Sequence, residues 1–404
     1  MEDRVSNEEL WEKTRSKDLS TSAEALMELG ERASSREDFE EAKGLFGAAL
    51  DSFIEMDVID SIGRAHYSLG YCYYRMDEHQ DAVKSLSAAL AIAREVNNTS
   101  SIAYSAGPLA DCLNELNKKE EAIEAYALAV DAFEELENYF PAGINALALG
   151  ELHGQTGKQT KALEAFVRAY NIFQKGGDAN GAARAKDRMA SALIELGDYD
   201  QALAHLRDAF HTFEFIEEFE RAAHTKYRIG WTLNLDEKYF EAEAPLRDSI
   251  RFFRSEKMWS RAALAELQLC DSLIFRDVRQ TNKEAEKLLV RIHSFFESAG
   301  EQANLLIAQS LNASRYLELG DFAKSIEMFE RILEEALVLE DSFLVRSIRL
   351  NLVEAHTQAG NVAAAAALLG GLDEGQFGEN GPEKKRLKDA AAKLQELVSN
   401  PSSQ

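Results

Sequence analysis

Between Gly230 and Phe253 the chain reads GWTLNLDEKYFEAEAPLRDSIRFF. Apolar residues return there every three or four positions. Ala242, Leu246, Ile250 and Phe253 share one side of a helix. Asp236-Glu237-Lys238-Tyr239 breaks the pattern and carries a turn, so the stretch predicts two helices joined tightly. Gly230 lies inside the first helix, where a missing side chain lets a neighbouring helix approach closely.

The pattern recurs along the chain. Ala42, Ala82, Ala122, Ala162, Ala202 and Ala242 stand 40 residues apart; a step of 43 reaches Ala285, and steps of 40 then reach Ser325 and Ala365. Leu29-Gly30, Leu69-Gly70, Leu149-Gly150 and Ile229-Gly230 precede the turns in the same phase. Four residues past each ruler position stands a bulky residue, as at Phe46, Leu86, Tyr126, Phe166 and Leu246. Eleven past it stand Phe53, Phe133, Phe173, Phe213, Phe253 and Phe296. Columns held in register over most of a chain are the mark of a repeat protein.

Leu196-Gly197-Asp198-Tyr199-Asp200-Gln201-Ala202 and Leu319-Gly320-Asp321-Phe322 resemble the tetratricopeptide repeat. That family's usual unit is 34 residues; the extra residues here are expected to lengthen the second helix. The spacing is similar to that of kinesin light chain and of bacterial repeat regulators. The resemblance covers about residues 22 to 370. It implies an all-α fold, a right-handed α-solenoid of about nine helix-turn-helix repeats. Residues 1–21 are then an N-terminal capping segment, 22–370 the solenoid, 371–381 a Gly-rich link, and 382–404 a C-terminal capping helix and tail.

Within that frame several local features carry expectations. Ser6 to Glu9 and Thr21 to Glu24 have capping-box spacing, the second opening the first full helix. Trp11 is placed to cover the open apolar edge of the first repeat. Gly107-Pro108 falls inside a first helix and should kink or delay it. Asp277 to Asn282 holds three extra residues, expected in a turn. In the final helix, Leu387, Ala391, Leu394 and Val398 form an apolar side, and Lys384, Lys385, Arg386 and Lys388 read as a solvated face. Ala365, in a decaying last repeat, should tolerate enlargement better than Ala202.

Charge narrows the function classes. The 404 residues carry a net charge of −25, which disfavours nucleic acid and anionic membranes as general partners. Cys72, Cys112 and Cys270 form no CxxC pair and read as reduced, buried residues of a cytoplasmic protein. No apolar run approaches the roughly 18 to 20 residues that span a membrane.

The sequence holds no HExxH, phosphate loop or GxSxG motif. The reading is of a non-enzyme without cofactor or metal. The family resemblance implies that first helices line a groove whose non-packing positions recognise a guest. Those positions include Tyr67, Tyr71, Tyr74 and Tyr104 in repeats two and three. In repeats five and six they are Arg184, Arg188, His224, Tyr227, Arg228, Trp231 and Asn234. Arginine with aromatics is the composition of interface hot spots, and arginine forks suit a carboxylate. The expected partner is a protein or peptide segment held through such a group. The resemblance also admits a peptide-responsive regulator whose superhelix changes pitch on binding.

Overall fold

The computed structural model describes residues 5–372 and 382–399. Among them every regular element is a helix. The chain divides into two compact units, Met1–Ala185 and Lys186–Gln404.

The first unit starts with the short α1 (Asn7–Lys13) and continues through α2 (Leu19–Ser35), α3 (Phe39–Glu55), α4 (Ile59–Arg75), α5 (His79–Glu95), α6 (Thr99–Glu115), α7 (Lys119–Glu135), α8 (Tyr139–Gln155) and α9 (Gln159–Lys175). Helix α10 (Ala179–Glu195) contains the division. The second unit continues through α11 (Tyr199–Phe215), α12 (Phe219–Leu235), α13 (Tyr239–Ser255), α14 (Trp259–Ala299), α15 (Gln302–Glu318), α16 (Phe322–Val338), α17 (Ser342–Gln358), α18 (Val362–Gly370) and α19 (Pro382–Ser399). Counting the two halves of α14 separately, α2 to α18 make nine helix pairs, a helical solenoid of repeats.

The turns set the repeat length. Helix after helix spans 17 residues, about 25 Å at 1.5 Å per residue. Each ends in one left-handed residue: Glu37, Asp57, Asp77, Asn97, Asn117 and Glu137, then Gly157, Gly177 and Gly197. At the first turn the amide of Glu37 donates to Ser34 O and that of Asp38 to Ala33 O. This double bond satisfies the last carbonyls of a helix. Asp38 is also the N-cap of the next helix, its carboxylate accepting from the amide of Glu41. Seventeen helical residues plus three turn residues give 20, and two such modules give the 40-residue ruler. The two helices of a pair are thus equal in length, and the extra residues do not lengthen the second one alone.

The columns are the packing. All nine ruler residues have no exposed surface. Ser325, the one that is not alanine, donates its hydroxyl to Ala313 O at 2.9 Å, so its burial leaves no unmet donor. A Cβ at Gly230 would lie 2.4 Å from Leu246 Cγ, and one at Gly70 2.7 Å from Leu86 Cγ. Glycine before the turn thus accepts the bulky residue of the next helix. The cysteines are free and buried, as their columns imply.

Several local expectations change. The Ser6–Glu9 capping box forms, with Ser6 Oγ accepting from the Glu9 amide at 3.2 Å. Trp11 does not cover the first repeat; Leu10, 1% exposed, does. Helix α2 opens at Leu19 from an Asp18 cap rather than at a Thr21–Glu24 box, and Glu24 instead pairs with Arg64 at 2.7 Å. Helix α6 runs unbroken through Pro108. The extra residues at Asp277–Asn282 form no open turn. They continue α14 past one extended residue, Asp277, and Thr281 Oγ1 donates back to Asp277 O at 2.7 Å.

Helix α19 packs on α17 and α18. Leu387 packs with Leu350 and Leu372, and Leu394 with Val353 and Ala365. Ala391 and Val398 of the expected apolar side are exposed. The Gly-rich link lies, from residue 373 to 381, outside the described residues. Among those described, no helix is long and apolar enough to cross a membrane.

Candidate functional site

In the first unit the tyrosines of α4 gather as their spacing requires. Tyr67 and Tyr71 have ring centroids 6.3 Å apart, and Tyr71 and Tyr74 6.1 Å. Tyr74 is committed to the fold, donating to Asp111 Oδ2 at 2.9 Å. Tyr104 on α6 is 46% exposed and meets Phe133 edge-on. Tyr67, Tyr104 and Arg64 line a shallow pocket of about 360 Å³. Burial pushes the Tyr67 phenol up to about 12, so it is neutral and offers a hydrogen-bond donor there.

Helix α10 carries Arg184, half-buried, and Arg188, exposed. Arg228 on α12 is 7% exposed. Its NH1 lies 2.5 Å from Asp187 Oδ1, an ion pair rather than an aligned hydrogen bond, and donates to Asp187 O at 3.0 Å. Its NH2 donates to Ser191 Oγ at 2.8 Å. Arg228 therefore ties α10 to α12 and is not a fork held out for a carboxylate. Asn234 is likewise buried and committed: it donates to Gln268 O at 2.8 Å and accepts from Ser272 Oγ at 2.7 Å. His224 and Tyr227 stand with rings 5.9 Å apart. Protein around His224 holds its imidazole below the ordinary value, and Arg228 and Arg188 act in the same direction against Asp187.

A cavity of about 570 Å³, half-enclosed, lies wholly in the second unit. Trp231 and Asn234 open it, so two of the expected site residues are among its lining. Helices α14, α15 and α17 continue it with Gln268, Asp271, Ser310, Ser314, Glu318, Ser347 and Glu354, and α19 closes one side. Tyr239 stacks on Phe275 at 5.7 Å beside it. The additional residues follow the same ruler. From Trp231, a step of 40 reaches Asp271, 43 reaches Ser314, and 40 more reaches Glu354. Extending one column past repeat six would have found them.

Burial dominates the electrostatics of this cavity. It pushes the Asp271 carboxyl up to about 7, opposed by the Arg386 guanidinium. Glu318 is raised as well, by burial first and then by Glu354, with Lys393 opposing. Among the described residues no His, Cys, Asp and Glu cluster could hold a metal ion.

Two tetratricopeptide repeat models match the chain, one over residues 61–135 and 143–214, the other over 23–97 and 311–377. The chain belongs to the tetratricopeptide repeat family. No curated protein sequence matches it significantly. Among solved structures, it is similar to aspartyl phosphate phosphatase F from Bacillus subtilis. The two are 14% identical, with 91% of this chain and 94% of that one covered at a TM-score of 0.55. It is also similar to a Signal Transduction ATPase with Numerous Domains protein with a tetratricopeptide repeat sensor from Pyrococcus horikoshii. Here identity is 15% and the TM-score 0.54, with 72% of this chain covered but 44% of that one. At such identities the likeness is one of fold.

Proposed function

We propose that this tetratricopeptide repeat protein is a non-enzymatic scaffold that holds a segment of another protein against its first helices. One observation supports the reading most. The non-packing residues of α12, α14, α15 and α17 converge on a single cavity of about 570 Å³ with aromatic, amide, hydroxyl and carboxylate groups in its wall. Second helices contribute the alanine and phenylalanine columns that hold the fold, which leaves first-helix side chains for recognition. Trp231, half-buried at the rim, is the natural anchor, since aromatic residues dominate interface energies. In the first unit Tyr67 and Tyr104 offer a smaller polar-aromatic patch of the same origin.

Capture from a native extract tests this reading. Trp231→Ala should lower recovery of a specific partner by a hot-spot amount, about 2 kcal/mol or some thirtyfold in affinity. Arg207→Ala, exposed on the second helix α11, should leave recovery unchanged. Equal recovery by both variants would remove the second unit's first-helix face as the binding surface. Tyr67→Ala with Tyr104→Ala would then decide whether the first unit holds it instead.

A further inference from the structure

The cavity wall is charged unevenly. Its acidic residues from the repeats are Glu237, Asp271, Glu318 and Glu354, and the repeats contribute no basic residue to the described lining. All the basic lining residues, Lys385, Arg386 and Lys393, belong to α19. That helix is a basic island in an acidic chain, with five basic against three acidic residues over 382–399. Lys385 Nζ stands 3.7 Å from Glu237 Oε1, and Arg386 donates to Asn351 Oδ1 at 2.5 Å. Asp271 has neither a hydrogen bond nor an ion pair among the described residues; the Arg386 guanidinium acts on it from a distance while donating to Asn351, so the resident helix makes no direct bond to this acidic group.

The hold on α19 is slight. Of its described side chains only Leu387 and Leu394 are buried, with Ala390 and Lys384 partly so. Its ion pair to Glu237 is solvent-exposed at both ends, and such pairs contribute little. A helix with only two buried leucines among its described side chains, facing a surplus of carboxylates, is displaceable by a better cation donor.

We propose that the acidic wall of the second unit's cavity docks a basic helical segment of a partner protein, and that α19 is its intramolecular stand-in. This rests on the scaffold reading and adds the chemistry of the guest: lysine and arginine on one edge of a helix, small and leucine residues on the other. Helix α19 then competes with the partner, so its seating sets the threshold for capture.

A labelled peptide of residues 382–399, titrated into the full-length chain, tests this. The wild-type chain should bind it weakly, because its own helix occupies the site. Lys385→Glu with Arg386→Glu, a surface change that leaves the core alone, should tighten peptide binding at least about tenfold. Leu387→Asp with Leu394→Asp should do the same with the charges retained, its folding checked by circular dichroism. Adding Asp271→Asn and Glu318→Gln to either should return binding to the wild-type level or below. A peptide with its five basic residues changed to glutamate should not bind. The proposal is overturned if the peptide binds the undocked chains no better than wild type, or binds the neutralised wall as tightly as the acidic one. Such a failure would leave the Trp231-dependent capture standing, whereas loss of that dependence would remove the second unit's first-helix face, and this proposal with it.

Discussion

At the scale of single residues, burial decides what each side chain is for. Gly230 exists to admit Leu246; a methyl group there would sit 2.4 Å from its Cγ and 3.2 Å from the Ala242 carbonyl. Gly230→Ala should therefore cost about 1 to 3 kcal/mol by overpacking, read by urea denaturation. A second exchange, Leu246→Ala, should show coupling, because the two share one contact. Arg228 reads from sequence as an exposed guest-binding fork; in the fold it is a buried tie to Asp187 and Ser191. Arg228→Ala should lower stability by about 3 kcal/mol, since it strands the Asp187 carboxylate in a part-buried site. No loss of stability would mean that the pair is not formed in solution. Helical periodicity gave the face of each of these residues but not its partner one repeat away, which depends on the offset between stacked first helices.

Asp271 supplies the pH dependence. Its folded pKa near 7 lies above the usual carboxylate value of about 4, so the folded chain binds this proton more tightly than the unfolded chain. The stabilisation is fully present below about pH 4 and is lost as pH rises through 7. Asp271→Asn should match the wild type in stability at pH 4 and exceed it by about 1 to 2 kcal/mol at pH 8, after allowance for water in the cavity. Thermal unfolding at the two pH values checks this; a constant difference would place the carboxyl in ordinary solvent.

At the scale of elements, the repeat is two modules of 20 residues rather than one of 40. Sequence alone showed the 40-residue ruler because alanine and glycine mark alternate helices differently. The 20-residue period is carried by backbone conformation, with φ positive at Glu217, Glu237 and Lys257 as at Gly197. Side chains disfavour that region by roughly 1 to 2 kcal/mol. Glu217→Gly should thus stabilise the chain by up to about 1 kcal/mol, and Gly197→Ala should destabilise it by about as much, in denaturant unfolding. The same period explains why the Asp277–Asn282 insertion was misplaced: three added residues extend α14 through its bend instead of opening a loop. Ala365 was also misjudged. It is fully buried beneath Leu394 of α19, so Ala365→Leu should push α19 off and tighten binding of the 382–399 peptide, an effect that Ala202→Leu should lack.

Across the molecule, the fold was legible because packing residues repeat, whereas the residues lining the cavity do not. Trp231, Asp271, Ser314 and Glu354 occupy one column with four different chemistries. That difference is what a surface reading a partner needs, and it is what hides such a surface from a search for repetition. Trp231 and Asn234, singled out from sequence because aromatic and amide groups stand out, line this cavity. The place of α19's basic residues at the cavity was not legible, because Lys385 reaches across well over a hundred residues of sequence to Glu237 in the α12–α13 turn.

The central claim is that partners are held on the first helices. Photo-crosslinking tests it most directly, with a benzophenone side chain placed singly at Trp231, Gln268 or Ser347 on first helices and at Arg207, Arg251 or Glu330 on second helices. The captured partner should crosslink from the first set and not from the second. Crosslinks confined to Arg207, Arg251 and Glu330 would contradict the account.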